Sequence, residues 1–460
     1  MTVLELYELI EQSKDDLIRD LQGCIRIPSV EAKGEGGWPY GEQVHRCLHY
    51  MLDTAQRLGF AVHNMDEQVG WCEYGQGEEM AAVLCHLDVV PEGDGWTVPP
   101  YEGQVAGGRI YGRGTMDDKG PALCALYALK AVKDAGLPMS RRVRILFGLN
   151  EETGSADMKY YTTHGGEIPV MGITPDGEYP VINGEKGLVT QFFAKTFRQT
   201  GDIRLLELSG GTAHNIVPAQ AAAELTCSRE LAEKVAARRV NKVSCVLTER
   251  GVRVEAEGVG AHGGTPGEGE NAIGRLMLFL SALPLEGDLK AVVDLLAGRL
   301  GMEYDGRSLG ISMSDELSGP LTVNLGVARL EGDELTVKVN YRYPVTRHFE
   351  ECGPQVKAAF EGAGFHETYL MHKAALYMPA DSPLVGKLMK VYSEYTGDHA
   401  AAPKCIGGGT YAKMIPNTLA FGPIFPGDEV REHKPDEYME LSRLMDNTKI
   451  LASAIYEMAR

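Results

Sequence analysis

No apolar stretch of this 460-residue chain approaches the roughly 18 residues that a membrane-spanning helix needs, so a helical membrane protein is excluded. Basic residues are scarce beside acidic ones, 45 against 64, and a formal charge of -19 makes a phosphate backbone an unfavourable partner. Nucleic acid is therefore not expected as a ligand. The opening run MTVLELYELIEQSKDDLIRD lacks a basic start followed by an apolar block, and its apolar and charged residues alternate at helical spacing, so no signal peptide is expected. The nine cysteines, from Cys24 to Cys405, form no C-x-x-C pair and are odd in number. They read as reduced thiols buried as small hydrophobes, which points to the cytosol. Short-period repeats and low-complexity tracts are missing as well. What remains is ordinary globular composition, 44% hydrophobic and 24% charged, in a chain long enough for two or three units at about 150 residues each.

After the N-terminal helix, residues 40–58 read as a second helix ending at Gly59, followed by a short apolar strand at 82–85. Residues 118–136, rich in Ala and Leu with Pro121 early and Gly136 last, read as a largely buried helix. A strand at 143–147 follows and again ends in polar groups. Strand, helix and strand in this order predict an α/β layer whose parallel strands carry chemistry at their carboxyl ends. From about Gly187 the texture changes to alternating strand-like runs, LVTQFFAKTF, AAAELTC, RVEAEG and ELTVKVNYRYP, with a helix candidate at 271–283. Helical texture resumes at DSPLVGKLMKVYSEYTG, where Ser382 can cap and Pro383 occupies the first turn. The expectation is one domain built from residues 1–186 and 378–460, split by an α+β domain at 187–377.

The strand at 82–85 runs into CHLDVVPEGDG, and a period of two puts His86 and Asp88 on the same side. Other loops carry comparable groups: GRGTMDDKG offers Asp117 and Asp118 before a helix, NEETG offers Glu151 and Glu152 past a strand, TPDGE offers Asp176, and EHKPDE offers His433. Each has a bland reading by itself. Asp118 could cap its helix, the glutamates could sit in a solvated first turn, and His433 could be an ordinary surface histidine. Together they supply imidazoles and carboxylates that suit Zn²⁺, Mn²⁺ or Co²⁺, and the absence of cysteine argues against a closed structural zinc site. Two such cations about 3.5 Å apart repel severely unless an anion bridges them, so one aspartate must touch both.

The ordered motifs HLDVVP, GRGTMDDKGP, NEETGS, PDGE and EHKPDE resemble the M20 family of metallopeptidases. GGTAHNIVP, AHGGTPGEGENA and GGGTYAK are similar to its PepV-type dipeptidase branch, and the resemblance covers nearly the whole chain. It implies a zinc-exopeptidase-like α/β catalytic domain with a mostly parallel sheet flanked by helices, and an inserted, two-lobed α+β lid. It implies that His86 and Asp176 hold one cation, that Glu152 and His433 hold the other, and that Asp117 bridges them, with zinc first and manganese or cobalt as alternatives. Asp88 would steady the His86 ring. Glu151 would be the general base, taking a proton from water acidified by the cations and returning it to the leaving amine. A cis peptide between Asp117 and Asp118 is implied too.

The same resemblance makes His262 the donor to the tetrahedral oxyanion, from a domain that would have to close over the site. Arg342 in VNYRYP and Asn215 in GGTAHNIVP are the candidates for a free substrate carboxylate, because a guanidinium fork pairs with both oxygens. Read alone, Arg342 is a strand-edge charge on a solvated face. Backbone N–H groups of Gly408 and Gly409 would add donors, and His214 has no assigned role. The expected activity is a metal-dependent dipeptidase for short peptides with free termini, acting as a cytoplasmic monomer without nucleic-acid or membrane partners. Alternatives are an amidohydrolase of N-acylated amino acids, a non-catalytic peptide-binding relative, and a purely structural interaction protein, which would leave the metal-competent loops unexplained.

Overall fold

In a computed structural model, which describes residues 3–34 and 36–460, the run MAAVLCH forms the strand Met80–His86, and every residue of it is buried. Its neighbours explain why. Arg142–Gly148 pairs with it in parallel on one side and Met171–Thr174 in parallel on the other. The helices Lys119–Asp134 and Leu441–Ala459 pack against it. A strand enclosed in this way has no solvent face, so a continuous apolar run replaces alternation. The sheet continues in parallel to Thr418–Ala420, and in the other direction antiparallel to Val69–Tyr74 and Ala61–Met65. It is thus a mixed sheet with parallel strands at its centre. His86 lies opposite Gly148 in the register, so two strands end at one level and their following loops start side by side.

The helices form close to where the sequence predicts them. Residues 40–58 give Glu42–Arg57, and 118–136 give Lys119–Asp134. Asp118 stands at the N-cap of the latter, but its carboxylate makes no cap hydrogen bond and instead accepts from the His86 backbone N–H at 2.9 Å. Pro383–Thr396 starts after Ser382 and ends on Gly397 in the left-handed region at φ 75. Ser382 does not cap with its side chain, since its buried Oγ has no hydrogen-bond partner.

The chain divides into two units, Met1–Asn183 with Met378–Lys404 and Thr410–Arg460, and Gly184–Tyr377 with Cys405–Gly409. The first boundary falls at 183/184 rather than 186/187, and the short segment Cys405–Gly409 groups with the second unit. Hydrogen bonds account for that grouping: the Lys186 N–H donates to the Ile406 carbonyl at 3.0 Å, and Arg342 donates to the Gly407 carbonyl at 2.6 Å. Among the described residues, no helix is long and apolar enough to cross a membrane, and all nine cysteines are free thiols.

The second unit is built on an eight-stranded antiparallel sheet in which Glu334–Tyr343 lies between Thr322–Glu331 and Gly187–Thr196. The alternating runs seen in the sequence become these strands. Asn271 caps the helix Ala272–Leu280 by accepting from the Gly274 N–H at 3.1 Å. Phe193 and Phe360 stack in the core at 4.1 Å, joining the sheet to the helix Gly353–Gly362. Phe193→Ala removes that contact from a fully enclosed position and should cost about 3–5 kcal/mol, read as a lowered urea midpoint by circular dichroism. An unchanged midpoint would mean that the core repacks around the gap.

Candidate active site

At the carboxyl ends of the parallel strands, the loops of the first unit bring six side chains into two groups. One consists of His86, Glu151 and Asp176, the other of Asp117, Glu152 and His433, and within each group the candidate ligand atoms lie within 4.8 Å of one another. Asp117 joins the two. Its Oδ1 is 2.8 Å from His86 Nε2, and its Oδ2 is 2.9 Å from His433 Nε2. Asp176 Oδ2 lies 3.9 Å from His86 Nε2, and Glu152 Oε1 lies 3.2 Å from His433 Nε2. The Asp117–Asp118 peptide is cis. His433 takes a left-handed backbone conformation at φ 59, which histidine tolerates better than most residues. It is half-exposed, yet the surface reading does not describe it, because its imidazole faces both Asp117 and Glu152.

Asp88 holds more than the imidazole. His86 Nδ1 donates to the Asp88 backbone carbonyl at 2.9 Å, with the Asp88 carboxylate 3.3 Å away. That fixes the tautomer and leaves Nε2 for a ligand role. The same carboxylate accepts the backbone N–H groups of Glu151 at 3.2 Å and Glu152 at 3.1 Å. Asp88 therefore ties the loop carrying both glutamates to the end of the histidine strand. Two further residues in this unit were not foreseen. Asp157 accepts from the backbone N–H groups of Leu149 at 2.5 Å and Asn150 at 3.1 Å, and the Tyr411 hydroxyl donates to it. The Tyr411 ring meets the His86 ring edge-on at 6.1 Å. Gly148 must be glycine here, since a Cβ would come within 2.2 Å of the Tyr411 hydroxyl oxygen.

The charge balance of the site asks for cations. Burial would raise the Asp117 carboxyl, but hydrogen bonds from His433 and His86 hold it well below the usual carboxylate range. Burial opposes charge on His433, yet Asp117 and Glu152 push its imidazole up to about 11, and His86 is raised in the same way by Asp117 and Asp88. Burial and the field of Asp117 raise Glu152 and Asp176. Four carboxylates facing two imidazoles, with no thiolate among them, form a hard-to-borderline donor set that fits two divalent cations.

The residues expected to bind substrate lie in the second unit, where Arg342, His262 and the Gly407 carbonyl meet. Arg342 sits on an interior strand and is 5% exposed, which overturns its reading as a solvated edge charge. Its guanidinium donates to the Gly407 carbonyl at 2.6 Å and faces His262 Nε2 at 3.3 Å, and its Nε has no hydrogen-bond partner. Burial pulls it down to about 10, so it stays charged at neutral pH. The Gly264 N–H lies 3.3 Å from His262 Nδ1, and the Arg342 guanidinium faces the other ring nitrogen. Asn215 is exposed, and its backbone carbonyl accepts from the Gly263 N–H at 2.7 Å beside His262. Gly408 and Gly409 are half-buried in the segment that supplies Gly407. His214 rests its ring on Phe192, and its carbonyl accepts from Asn324 at 2.9 Å.

The model of Peptidase family M20/M25/M40 matches residues 82–457, and the chain belongs to that family. It is a peptide hydrolase. A Bacillus subtilis (strain 168) protein named Putative dipeptidase YtjP is 37% identical over 462 residues, covering 98% of each chain. A Staphylococcus aureus (strain MRSA252) protein named Putative dipeptidase SAR1836 is 32% identical over 465 residues, again covering 98% of each. Among solved structures, the fold is similar to human carnosine dipeptidase 1, with a TM-score of 0.59 at 16% identity over 99% of both chains. It is also similar to the di-peptidase Dug1p of Saccharomyces cerevisiae, with a TM-score of 0.60 at 14% identity over 99% of this chain and 98% of that one.

Asp117→Ala should lower the number of cations bound per chain, measured by metal analysis after dialysis, and two bound cations in the variant would rule out the shared carboxylate. Because neighbouring carboxylates raise both imidazoles, and a cation binds only the deprotonated nitrogen, Mn²⁺ affinity should tighten as pH rises from 6 to 8, by roughly tenfold per unit for each proton released. A flat profile in titration calorimetry would contradict that linkage.

Proposed function

We propose that the protein is a dipeptidase using two divalent cations, one held by His86 and Asp176, the other by Glu152 and His433, with Asp117 shared between them. The observation that carries this reading is the division of one carboxylate between two imidazoles, 2.8 Å to His86 and 2.9 Å to His433. Of the cations suited to such donors, zinc comes first, with manganese and cobalt as alternatives. When bound, they supply Lewis acidity, lowering the pKa of water and polarising the peptide carbonyl.

The remaining work falls to the chain. Glu151 accepts the proton of the attacking water and passes it to the nitrogen of the leaving amine, so that the broken bond ends as a carboxylate and an amine. The backbone anchor from Glu151 to Asp88 keeps this base at the site without using its side chain. Arg342 and His262 take the substrate carboxylate and the oxyanion that develops during attack, and Asn215 with the backbone of Gly408 and Gly409 adds donors. Recognition of a free carboxylate makes the enzyme an exopeptidase of short peptides, which agrees with the names of the relatives. We read it as a cytoplasmic monomer.

Glu151→Ala should abolish hydrolysis of Ala-Ala while the cation content stays at the wild-type level, and retained turnover would remove the base assignment. Arg342→Ala should lower kcat/KM by about 100-fold or more on Ala-Ala, and far less on its C-terminal amide. Equal losses on both would mean that Arg342 does not hold the carboxylate. Faster hydrolysis of N-acetylated amino acids than of dipeptides by the wild-type enzyme would favour the deacylase instead.

A further inference from the structure

The cation-binding loops share a fastening outside the ligand set, made by Glu437 and Arg113. Glu437 follows His433 by four residues and is fully buried. Its Oε1 accepts three backbone N–H groups, from Gly114 at 3.0 Å, Met116 at 2.8 Å and Asp117 at 3.3 Å. Its Oε2 accepts from Arg113 at 2.5 Å, in an ion pair with both partners almost wholly out of solvent. The Glu437 carbonyl also accepts from the Gly112 N–H at 2.9 Å. One residue thus gathers the turn that ends in Asp117 and ties it to the segment that begins with His433.

Arg113 extends the same fastening to a third loop. Its guanidinium donates to the carbonyls of Pro91 at 3.4 Å and Glu92 at 3.3 Å, just past His86 and Asp88, and to the Lys434 carbonyl at 3.5 Å. It also lies over the Trp96 ring at 5.4 Å. The pair therefore touches the loops after His86, before Asp117 and after His433, without contributing to either ligand group.

We propose that Glu437 and Arg113 are positioning residues that set the spacing of the two cation sites by fixing the Asp117 turn against the His433 segment. This rests on the dinuclear reading above. A carboxylate that receives three backbone donors and one charged N–H of an arginine, whose other nitrogen holds a third loop, locks its surroundings more tightly than packing alone could. Residues that orient ligands in this way typically alter metal affinity by about 10- to 100-fold when changed.

The test compares the wild type, Glu437→Gln and Arg113→Lys, each stripped with chelator and titrated with Mn²⁺, alongside thermal melts and Ala-Ala kinetics. Glu437→Gln keeps one backbone acceptor but loses the charge. Arg113→Lys keeps the charge but loses the fork that reaches Pro91, Glu92 and Glu437 together. Both variants should fold, bind Mn²⁺ about 10- to 100-fold more weakly, and recover kcat toward wild type as Mn²⁺ is raised, with KM for the dipeptide unchanged. Folded variants with wild-type Mn²⁺ affinity would overturn the proposal. Loss of fold in both would overturn it too, by assigning the pair to stability rather than to ligand placement. If the wild type binds neither Mn²⁺ nor Zn²⁺, or if Asp117→Ala binds them as tightly as the wild type, the dinuclear reading fails instead.

Discussion

The candidate site of the first unit is organised around Asp117, whose two carboxylate oxygens face different imidazoles, His86 at 2.8 Å and His433 at 2.9 Å. Two cations close together are tolerable only with negative charge between them, and a single carboxylate can offer one oxygen to each side. In the proposed dinuclear site, the turn before the helix Lys119–Asp134 would present both Asp117 oxygens at once, one toward each imidazole. The neighbouring aspartate is used differently. Asp118 turns its carboxylate to the His86 backbone N–H at 2.9 Å, so adjacent acids serve a ligand position and the strand that supports it.

Support for the ligands comes largely from carboxylates that accept backbone N–H groups. Asp88 takes those of Glu151 and Glu152, Asp157 takes those of Leu149 and Asn150, and Glu437 takes those of Gly114, Met116 and Asp117. Loops at the ends of parallel strands have lost their ladder partners, and their amides need acceptors if they are to be buried. A carboxylate satisfies several of them in one place, which makes the loop rigid.

The sequence made the candidate ligands legible and their supports much less so. His86, Asp117, Glu152, Asp176 and His433 stand out because imidazole and carboxylate at strand ends form a chemical pattern. The parallel core was readable as well, since MAAVLCH has no polar face to expose. Glu437 and Asp157 were not, because an acid that binds main-chain amides looks the same in sequence as an acid on a solvated turn. Arg342 was misread in isolation for a related reason: alternation along a strand says which side a residue faces, but not whether that side is covered. Ser382 followed the capping pattern, yet its hydroxyl goes unused, because position at a helix start does not guarantee side-chain geometry.

The two buried arginines make the functional logic explicit. Arg113 has its counter-charge built in, with Glu437 at 2.5 Å, so its charge is matched within the fold. Arg342 is nearly as buried, but its guanidinium meets a carbonyl and an imidazole, and neither is anionic. Holding an ion away from water without a counter-ion costs several kcal/mol even after relaxation, a penalty that folding alone has no reason to keep. In the proposed function, a substrate carboxylate would supply the counter-charge that the fold does not place beside Arg342. The carboxylate of a peptide has the charge and planar geometry that this guanidinium lacks a partner for.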